Sequence, residues 1–316
     1  MARSSRVEEH RAPRIVVVGS INTDMVIQTE RLPHPGETLL GGKFLVAQGG
    51  KGANQAVAAA RLGGTVAFVG RVGADAFGDV NMDGLRRNGV DVRYVSRDEG
   101  HPSGVALILV DRGGENMIVV ASGANLQVSP SDVEAVEGVF ETADVLLVQL
   151  EIPLETVERA VERASEYGVR VILNPAPARP LPEELLGRVS LLTPNRTELG
   201  TLTDRTIHTD EDVEDAGREL LRGGAEAVVV TLGEQGAMAV TRTDAERIPS
   251  RKVEAVDATA AGDAFNGALA VALANGADLP EAIRFANAAG ALAATKMGAQ
   301  PSLPEAKAVE AFLRRA

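Results

Sequence analysis

Residues 257–267, Asp-Ala-Thr-Ala-Ala-Gly-Asp-Ala-Phe-Asn-Gly, combine very small side chains with a carboxylate at the start of a predicted helix. Beyond them, Phe265, Leu269 and Leu273 recur every four residues, a spacing typical of a helix. The first backbone N–H groups of a helix have no partner within it and carry the positive end of the helix dipole. Because the side chains here are small, an anionic group can approach that backbone closely. The segment therefore predicts an anion-binding site.

The carboxylate of this segment, Asp263, lies at the mouth of the predicted anion site. A carboxylate in that position can take a proton from a hydroxyl that is held beside a phosphate. Together, an anion site and a base supply what phosphoryl transfer to an alcohol requires. An isolated Gly-Asp pair before a helix is commonly a helix cap instead, so the wider pattern has to decide.

The whole segment resembles the C-terminal signature of the phosphofructokinase-B-type sugar kinases, the ribokinase family. Residues 49–56, Gly-Gly-Lys-Gly-Ala-Asn-Gln-Ala, resemble the N-terminal signature of the same family. Fructokinase-like members tend to carry Ala-Pro where this chain has Lys51-Gly52, and ribose-specific members share the form seen here. The resemblance extends from about Ile15 to Ser302, which is nearly the whole chain.

This resemblance implies an activity, which is ATP-dependent phosphorylation of D-ribose at the 5-hydroxyl to give ribose 5-phosphate and ADP. Asp263 would be the base for the hydroxyl, and the backbone amides of Ala260, Ala261, Gly262 and Asp263 would stabilise charge on the transferred group. Another small-sugar or nucleoside kinase of the family, acting on deoxyribose, fructose or adenosine, is the alternative. A non-catalytic sugar sensor would be expected to lack the base, which is present.

Polar residues near the first predicted strand are candidates for binding the sugar. Asn22 and Asp24 follow that strand, and ligands of open α/β sheets bind at the carboxyl ends of the strands. By themselves these two residues also fit an Asx turn. With the positions that the resemblance adds, the predicted substrate-binding residues are Asn22, Thr23, Asp24, Gly50, Lys51, Gly52, Ala53, Asn54, Glu151 and Asp263.

The resemblance also implies sites for ATP, Mg²⁺ and a monovalent cation, K⁺. Asn195 and Glu198 match an Asn-x-x-Glu motif that would organise Mg²⁺, its waters and the phosphates, although they also fit an ordinary helix cap. Residues 231–236 close a strand with two glycines and resemble the ATP loop. The predicted nucleotide-binding residues are Asn195, Glu198, Thr231, Leu232, Gly233, Glu234, Gln235, Gly236, Gly262 and Asn287. The predicted cation-binding residues, which act mostly through backbone carbonyls, are Asp257, Thr259, Ala293, Lys296, Gly298 and Ser302.

Short β-branched runs alternate along the chain with helical patterns, which is typical of a parallel sheet built from βαβ units. We therefore predict an α/β fold with a doubly wound, mostly parallel sheet flanked by helices. Strands are predicted at residues 15–18, 65–69, 145–150, 169–173, 190–193 and 227–231. Helices are predicted at residues 55–62, 77–88, 154–167, 210–222 and 281–296.

Two regions, residues 23–47 and 103–122, break this rhythm because they alternate like hairpins and contain no helix. We interpret them as one small β lid, which in the resembled family covers the sugar and often forms the contact of a homodimer. Residues 14–22, 48–102 and 123–316 would then form the α/β kinase domain, after a disordered leader at residues 1–13.

Bulk composition excludes several functional classes. The chain has 316 residues, 45% of them hydrophobic, enough for one large core with a small appendage. A net charge of −12 and an aromatic content of 3% argue against a nucleic-acid partner. The absence of cysteine fits a reducing cytoplasm, and no apolar run is long enough for a membrane span. We therefore expect a cytoplasmic protein that binds neither nucleic acid nor membranes.

Two other nucleotide-binding motifs are absent. A dinucleotide-dependent oxidoreductase needs G-x-G-x-x-G after an early strand, and residues 19–24, Gly-Ser-Ile-Asn-Thr-Asp, do not supply it. The turn at residues 49–54 is not a P-loop, because the first glycine is missing and Gly52 stands where Ser or Thr would bind Mg²⁺.

Overall fold

A computed structural model of the chain describes residues 11–113 and 115–314. The predicted disordered leader falls largely on residues 1–10, outside the described residues. In chain order the strands are β1 (Arg14–Val18), β2 (Asn22–Gln28), β3 (Lys43–Gly49), β4 (Thr65–Gly73), β5 (Val90–Asp98), β6 (Gly104–Val110), β7 (Asn116–Ala121), β8 (Val145–Val148), β9 (Arg170–Leu173), β10 (Leu191–Leu192), β11 (Ala227–Thr231), β12 (Ala237–Val240) and β13 (Ala245–Ile248). The helices are α1 (Lys51–Arg61), α2 (Ala76–Arg87), α3 (Pro130–Glu134), α4 (Glu137–Phe140), α5 (Leu154–Glu166), α6 (Glu183–Leu186), α7 (Arg196–Thr203), α8 (Asp210–Arg222), α9 (Ala261–Ala274), α10 (Leu279–Ala293), α11 (Ala299–Ser302) and α12 (Ala306–Arg314).

Nine strands form one sheet in the order β13-β12-β11-β10-β9-β8-β1-β4-β5. Neighbours from β11 to β5 are parallel, and β12 and β13 add an antiparallel hairpin at one edge. Because successive residues of a strand face opposite sides, Ile15 and Val17 of β1 enter one hydrophobic core while Val16 and Val18 enter the other. Helices α1, α9 and α10 cover the first core, and α5 and α8 cover the second. The predicted α/β fold with a doubly wound, mostly parallel sheet is therefore confirmed.

A second sheet of four strands, in the order β3-β2-β6-β7, forms the lid. Strands β2 and β3 are antiparallel, as are β6 and β7, and the two hairpins join through the parallel pair β2–β6. The register places Asn22 opposite Gly49 and Gly104, at the end of the lid nearest the large sheet. The two hairpins thus come from two separate segments of the chain. The exact domain boundaries stay a prediction.

At three places the structure differs from the sequence analysis. Asn22 and Asp24 lie within β2 rather than in a turn after β1, because the chain pairs again after only three residues. Helix α1 begins at Lys51 rather than at Gln55, so residues 51–54 of the predicted turn are its first turn, and Gly50 precedes it with φ 88°. Strand β5 was missed because it lies at the sheet edge, where half-exposed and charged residues interrupt its apolar pattern.

Over the described part of the chain, none of the helices has both the length and the apolar character needed to cross a membrane.

Candidate active site

Helix α9 begins at the point where the large sheet, helix α1 and the loop before α9 meet. Its N-cap residue, Ala260, has the left-handed φ of 59°, and no side chain caps the helix. The N–H of Ala261 donates to the carbonyl of Ala258 at 3.1 Å. The N–H groups of Gly262 and Asp263 donate no hydrogen bond to any of the described residues. The start of α9 therefore offers two free amides and a helix dipole to an anion.

Asp263 is not a helix cap, because its carboxylate points away from its own helix to α1. Its Oδ2 accepts a hydrogen bond from Asn54 Nδ2 at 2.9 Å, and its Oδ1 accepts one from Gln55 Nε2 at 3.1 Å. Only 7% of the residue is exposed. Burial, with a contribution from the charge of Glu151, raises the pKa of Asp263, and the charge of Lys51 and the two amide hydrogen bonds offset this only in part. The result is a buried carboxylate with a fixed orientation, as a base for a bound hydroxyl requires.

Lys51 is the cation that faces this carboxylate. Burial lowers the pKa of Lys51, but the charges of Asp263, Glu151 and Glu198 outweigh that effect and raise it. The ammonium group therefore stays protonated and lies among three carboxylates. A positive charge at this position can attract a phosphate without any change in protonation.

Asp24 reaches the same site from the lid strand β2. A Cβ on Gly49 would come within 2.1 Å of Asp24 Oδ2, so the glycine makes room for the carboxylate. Burial raises the pKa of Asp24 to about 7, with further contributions from the charges of Glu151 and Asp263. None of the described residues donates a hydrogen bond to this carboxylate. A buried acceptor without a partner is suited to ligand hydroxyl groups.

Asn22 and Glu151 are held by neighbours that leave part of each side chain available. Asn22 Oδ1 accepts from Asn125 Nδ2 at 2.8 Å. Glu151 Oε2 accepts from the hydroxyl of Ser20 at 2.5 Å and from the N–H of Lys51 at 3.1 Å. Nearby, Asn54 Oδ1 is buried without a partner in the described structure. These groups together present donors and acceptors that match the hydroxyls of a small sugar.

Three other predicted substrate-binding residues have structural contacts instead. Thr23 Oγ1 accepts from Asn81 Nδ2 at 3.0 Å, on the lid face opposite Asp24. Ala53 is fully buried, and a Cβ on Gly52 would come within 2.6 Å of the backbone nitrogen of Ser20. Gly52 and Ala53 thus let α1 approach the end of β1.

Two adjoining cavities open at the start of α9 and share Thr231, Ala258 and Gly262. The smaller, of about 220 Å³, is lined by Lys51, Glu198 and Asp263 among others. The larger, of about 360 Å³, is lined mainly by small residues of α9, α10 and the preceding loop. A Cβ on Gly262 would meet no atom within 4 Å, so the backbone at the junction is open to a ligand. An elongated molecule with an anionic middle can occupy both cavities.

The predicted nucleotide-binding residues divide between the cavities and the surrounding structure. Thr231, Gly233, Glu234, Gly236 and Asn287 line the larger cavity. The amide of Asn287 also donates to the carbonyl of Ile248 at 3.0 Å. Two residues do not line a cavity, because Leu232 is buried in the hydrophobic core and Gln235 Oε1 accepts from Arg247 at 2.9 Å.

Asn195 and Glu198 form a reciprocal capping box at the start of α7. Asn195 Oδ1 accepts from the N–H of Glu198, and Glu198 Oε2 accepts from the N–H of Asn195, both at 2.8 Å. Both residues also line the smaller cavity. Burial raises the pKa of Glu198, although the Asn195 hydrogen bond and the Lys51 charge oppose the shift. Asn195 and Glu198 therefore cap helix α7 and also face the smaller cavity.

The predicted cation-binding residues come from two loops, which Asp257 joins, and from the ends of α10 and α11 beside them. Asp257 Oδ1 accepts from the N–H of Thr259 at 2.9 Å, and Oδ2 accepts from the N–H of Gly298 at 2.8 Å. Lys296 donates its N–H to the carbonyl of Ala293 at 3.2 Å. Ser302 Oγ donates to the carbonyl of Ala299 at 2.8 Å, within α11. The loops are therefore adjacent and held in shape by hydrogen bonds.

Sequence reasoning missed the polar residues behind the base. Gln149, Asn174 and Thr193 each follow directly after the last residue of β8, β9 and β10, and all are buried. Gln55, fully buried, connects two of them to Asp263. Polar residues at the carboxyl ends of three consecutive buried strands are a signal that the sequence did contain.

In the part of the chain that the structure describes, no group of three or more His, Cys, Asp or Glu residues is arranged to hold a metal ion.

Comparison with known proteins identifies the family. The family model of the "pfkB family carbohydrate kinase" matches residues 12–306. The ribokinase of Haemophilus influenzae is 42% identical over 302 residues, which cover 96% of this chain and 99% of that protein. The deoxyribokinase of Salmonella typhi is 37% identical over 300 residues, which cover 95% and 98% respectively. The structure of Arabidopsis thaliana ribokinase complexed with ribose and ATP superposes with a TM-score of 0.88 at 36% identity, covering 96% of this chain and 99% of that one.

The chain belongs to the pfkB family of carbohydrate kinases. The resemblance inferred from the two sequence motifs is thereby confirmed.

Proposed function

We propose that this protein is a ribokinase, which transfers the γ-phosphoryl group of ATP to the 5-hydroxyl of D-ribose. The observation that carries the proposal is the buried carboxylate of Asp263, held by two amides beside the free N–H groups that open α9. The similarity to ribokinases over nearly the whole chain supports the choice of ribose.

In this reaction the residues of the chain bind, orient and deprotonate. The lid carboxylate Asp24, with Asn22 and Asn54, would bind ribose hydroxyls and hold the 5-hydroxyl against Asp263. That carboxylate would take the proton as the oxygen attacks phosphorus, and the bond from phosphorus to ADP breaks. The free amides of Gly262 and Asp263, with Lys51, would stabilise the charge on the transferred group.

We propose that the nucleotide phosphates lie in the smaller cavity and its base in the larger one. Mg²⁺ would neutralise phosphate charge when it is bound with the nucleotide. Because Mg²⁺ keeps several waters and needs only one or two carboxylates besides phosphate oxygens, a site with Glu198 and Asn195 fits it.

We also propose the predicted K⁺ site in the two loops joined by Asp257. Burial raises the pKa of Asp257, but the hydrogen bonds from Thr259 and Gly298 outweigh it and lower the pKa, so the carboxylate stays charged beside the loop carbonyls. A bound ion would fix the loop that leads into Ala260. We expect Asp257→Ala to reduce any K⁺ activation while the base stays in place, and full activity of the wild-type enzyme in K⁺-free buffer would remove this site.

The activity is tested by measuring ADP release with ribose, deoxyribose, fructose and adenosine as acceptors. We expect the highest kcat/KM with ribose, and product analysis should give ribose 5-phosphate. Deoxyribose is the second candidate, because a deoxyribokinase is 37% identical to the chain over 300 residues. A higher kcat/KM for deoxyribose than for ribose would replace the first proposal by the second.

We propose a homodimer that forms through the lid. The strand register places one set of side chains on the lid face opposite Asp24, and six of its large apolar members are more than one third exposed. These residues are Ile27, Phe44, Val46, Leu107, Met117 and Val119. A second lid would remove this apolar surface from water. Light scattering should give a dimer for the wild type and a monomer for Val119→Glu, and a monomeric wild type would refute the proposal.

Because the reaction consumes ATP, we propose that the protein works in the cytoplasm.

A further inference from the structure

A chain of buried amide groups runs from the carboxyl ends of the large sheet to Asp263. Gln55 Nε2 donates both to Asp263 Oδ1 and to Asn174 Oδ1, each at 3.1 Å, while its Oε1 accepts from Gln149 Nε2 at 2.7 Å. Asn174 Nδ2 donates onward to the carbonyl of Thr193 at 3.0 Å. Gln55 and Gln149 are fully buried.

The orientation of each amide in this chain follows from groups that can only accept. An ionised carboxylate has no donor, so it requires the NH₂ end of Gln55 to face Asp263. With its NH₂ toward Asp263, Gln55 turns its Oε1 toward Gln149. The NH₂ of Gln149 must then face Gln55, so that Gln149 Oε1 stays buried without a partner among the described residues. The backbone carbonyl of Thr193 can also only accept, so the NH₂ of Asn174 must face it and Asn174 Oδ1 faces Gln55. The network is therefore consistent with the ionised form of Asp263.

Gln55 differs from its neighbour Asn54 in what it faces. Asn54 keeps one buried oxygen unpartnered, on a residue that the proposed function places at the sugar. Every polar atom of Gln55 is already bonded to protein, and none is available to substrate. The Gln55 hydrogen bond can therefore persist while sugar binds and leaves.

We propose that Gln55 is the positioning residue of the base: it fixes the Asp263 carboxylate against the sheet and stabilises its ionised form. The inference rests on the proposed kinase activity, in which Asp263 accepts the hydroxyl proton. The charged groups that face this carboxylate are Lys51 from α1, Glu151 after β8, Asp24 from the lid and Glu198 from α7. Three of the four are carboxylates that oppose ionisation, so a neutral donor on the protein side stabilises the charged base.

The test is Gln55→Met, which keeps the side-chain volume and removes the donor. Loss of a hydrogen bond to a charged group changes a rate or an equilibrium constant by about ten- to hundredfold. We therefore expect kcat to fall about ten- to hundredfold at neutral pH, and the acid limb of the kcat profile to move up by about one pH unit or more. The KM for the sugar should change less than kcat.

Two further variants separate positioning from folding. Thr156→Val removes a buried hydrogen bond of 2.7 Å to the carbonyl of Val128, on α5 and away from the site, and should leave the acid limb unchanged. Gln55→Glu places a second carboxylate against Asp263, so its acid limb should move further up than that of Gln55→Met. Unchanged kcat and an unshifted acid limb in Gln55→Met would overturn the proposal. The proposal would also be overturned if Gln55→Glu lost activity while the acid limb of its kcat profile stayed at the wild-type pH.

The acceptor for these assays is the best substrate of the wild-type enzyme. A wild type that prefers deoxyribose would end the ribose assignment but leave the comparison of Gln55 variants intact.

Discussion

The carboxylate of Asp24 should destabilise the free enzyme, and Asp24→Asn should relieve that cost. Burial, with the charges of Glu151 and Asp263, raises the pKa of Asp24 from 3.8 to about 7. A difference of about three pH units between the unfolded and folded states is equivalent to about 4 kcal/mol. Local relaxation and water entry reduce that amount, so we expect at most about 4 kcal/mol.

The sign and the pH window follow from the raised pKa. Protonation of Asp24 favours the folded state, because the folded pKa is the higher one. This contribution to the free energy of unfolding is present in full below pH 4 and is lost as the pH rises through about 7. Asparagine cannot ionise, so Asp24→Asn should be more stable than the wild type above pH 7. The difference should shrink as the pH falls from 7 to about 4. For a chain of this size 1 kcal/mol corresponds to roughly 2 °C in Tm, so the expected gain at pH 8 is up to about 8 °C.

The assay is thermal unfolding of both proteins without ligands between pH 4 and pH 8. The exposed Asp215 on α8 provides the matched control, and Asp215→Asn should leave the Tm close to that of the wild type. The same Asp24→Asn variant should raise the ribose KM roughly tenfold or more and leave the ATP KM nearly unchanged, because it loses a charge-assisted hydrogen bond. A Tm at pH 8 equal to or below that of the wild type would refute the reasoning about burial.

Three further substitutions test other parts of the site. Asp263→Asn should keep the fold and ribose binding but lower kcat about 10²- to 10⁴-fold, and a kcat within threefold of the wild type would remove Asp263 as the base. Gly262→Val places a side chain in the open space at the cavity junction, so the ATP KM should rise more than the ribose KM. Gly104→Ala would put a Cβ about 2.2 Å from Asn22 Oδ1; we expect a higher ribose KM, and an unchanged value would separate Asn22 from the sugar.

The large sheet was predictable because its strands are short, apolar and buried on both faces. The bounds of β11 and α8 agree with those predicted, since strong patterns mark both ends of each. The edge strands were not predictable from the same signal. β5 carries charged residues, and β13 follows an antiparallel hairpin turn that βαβ periodicity does not anticipate.

The catalytic segment could be located from sequence, but its supporting contacts could not. Small residues and an aspartate before a helix indicate a site within one stretch of chain. The partner of that aspartate, Gln55, lies 208 residues away, and only the packing of α1 against α9 brings the two together. A glutamine within an otherwise apolar helix is the sequence feature that indicates such a long-range contact.

Charge explains why the proposed substrates are needed to complete this site. Of the described residues that line the smaller cavity, Lys51 is the one cation, and it faces Asp263 and Glu198. The nucleotide phosphates would add further negative charge to the smaller cavity, which a divalent cation bound with the nucleotide would balance. On the sugar side, the ribose hydroxyls would give the Asp24 carboxylate the donors that it lacks in the free enzyme. Binding of the two proposed substrates would thus relieve the repulsion among the four clustered carboxylates in two separate steps. A free site that is costly in stability would in this way be compatible with catalysis.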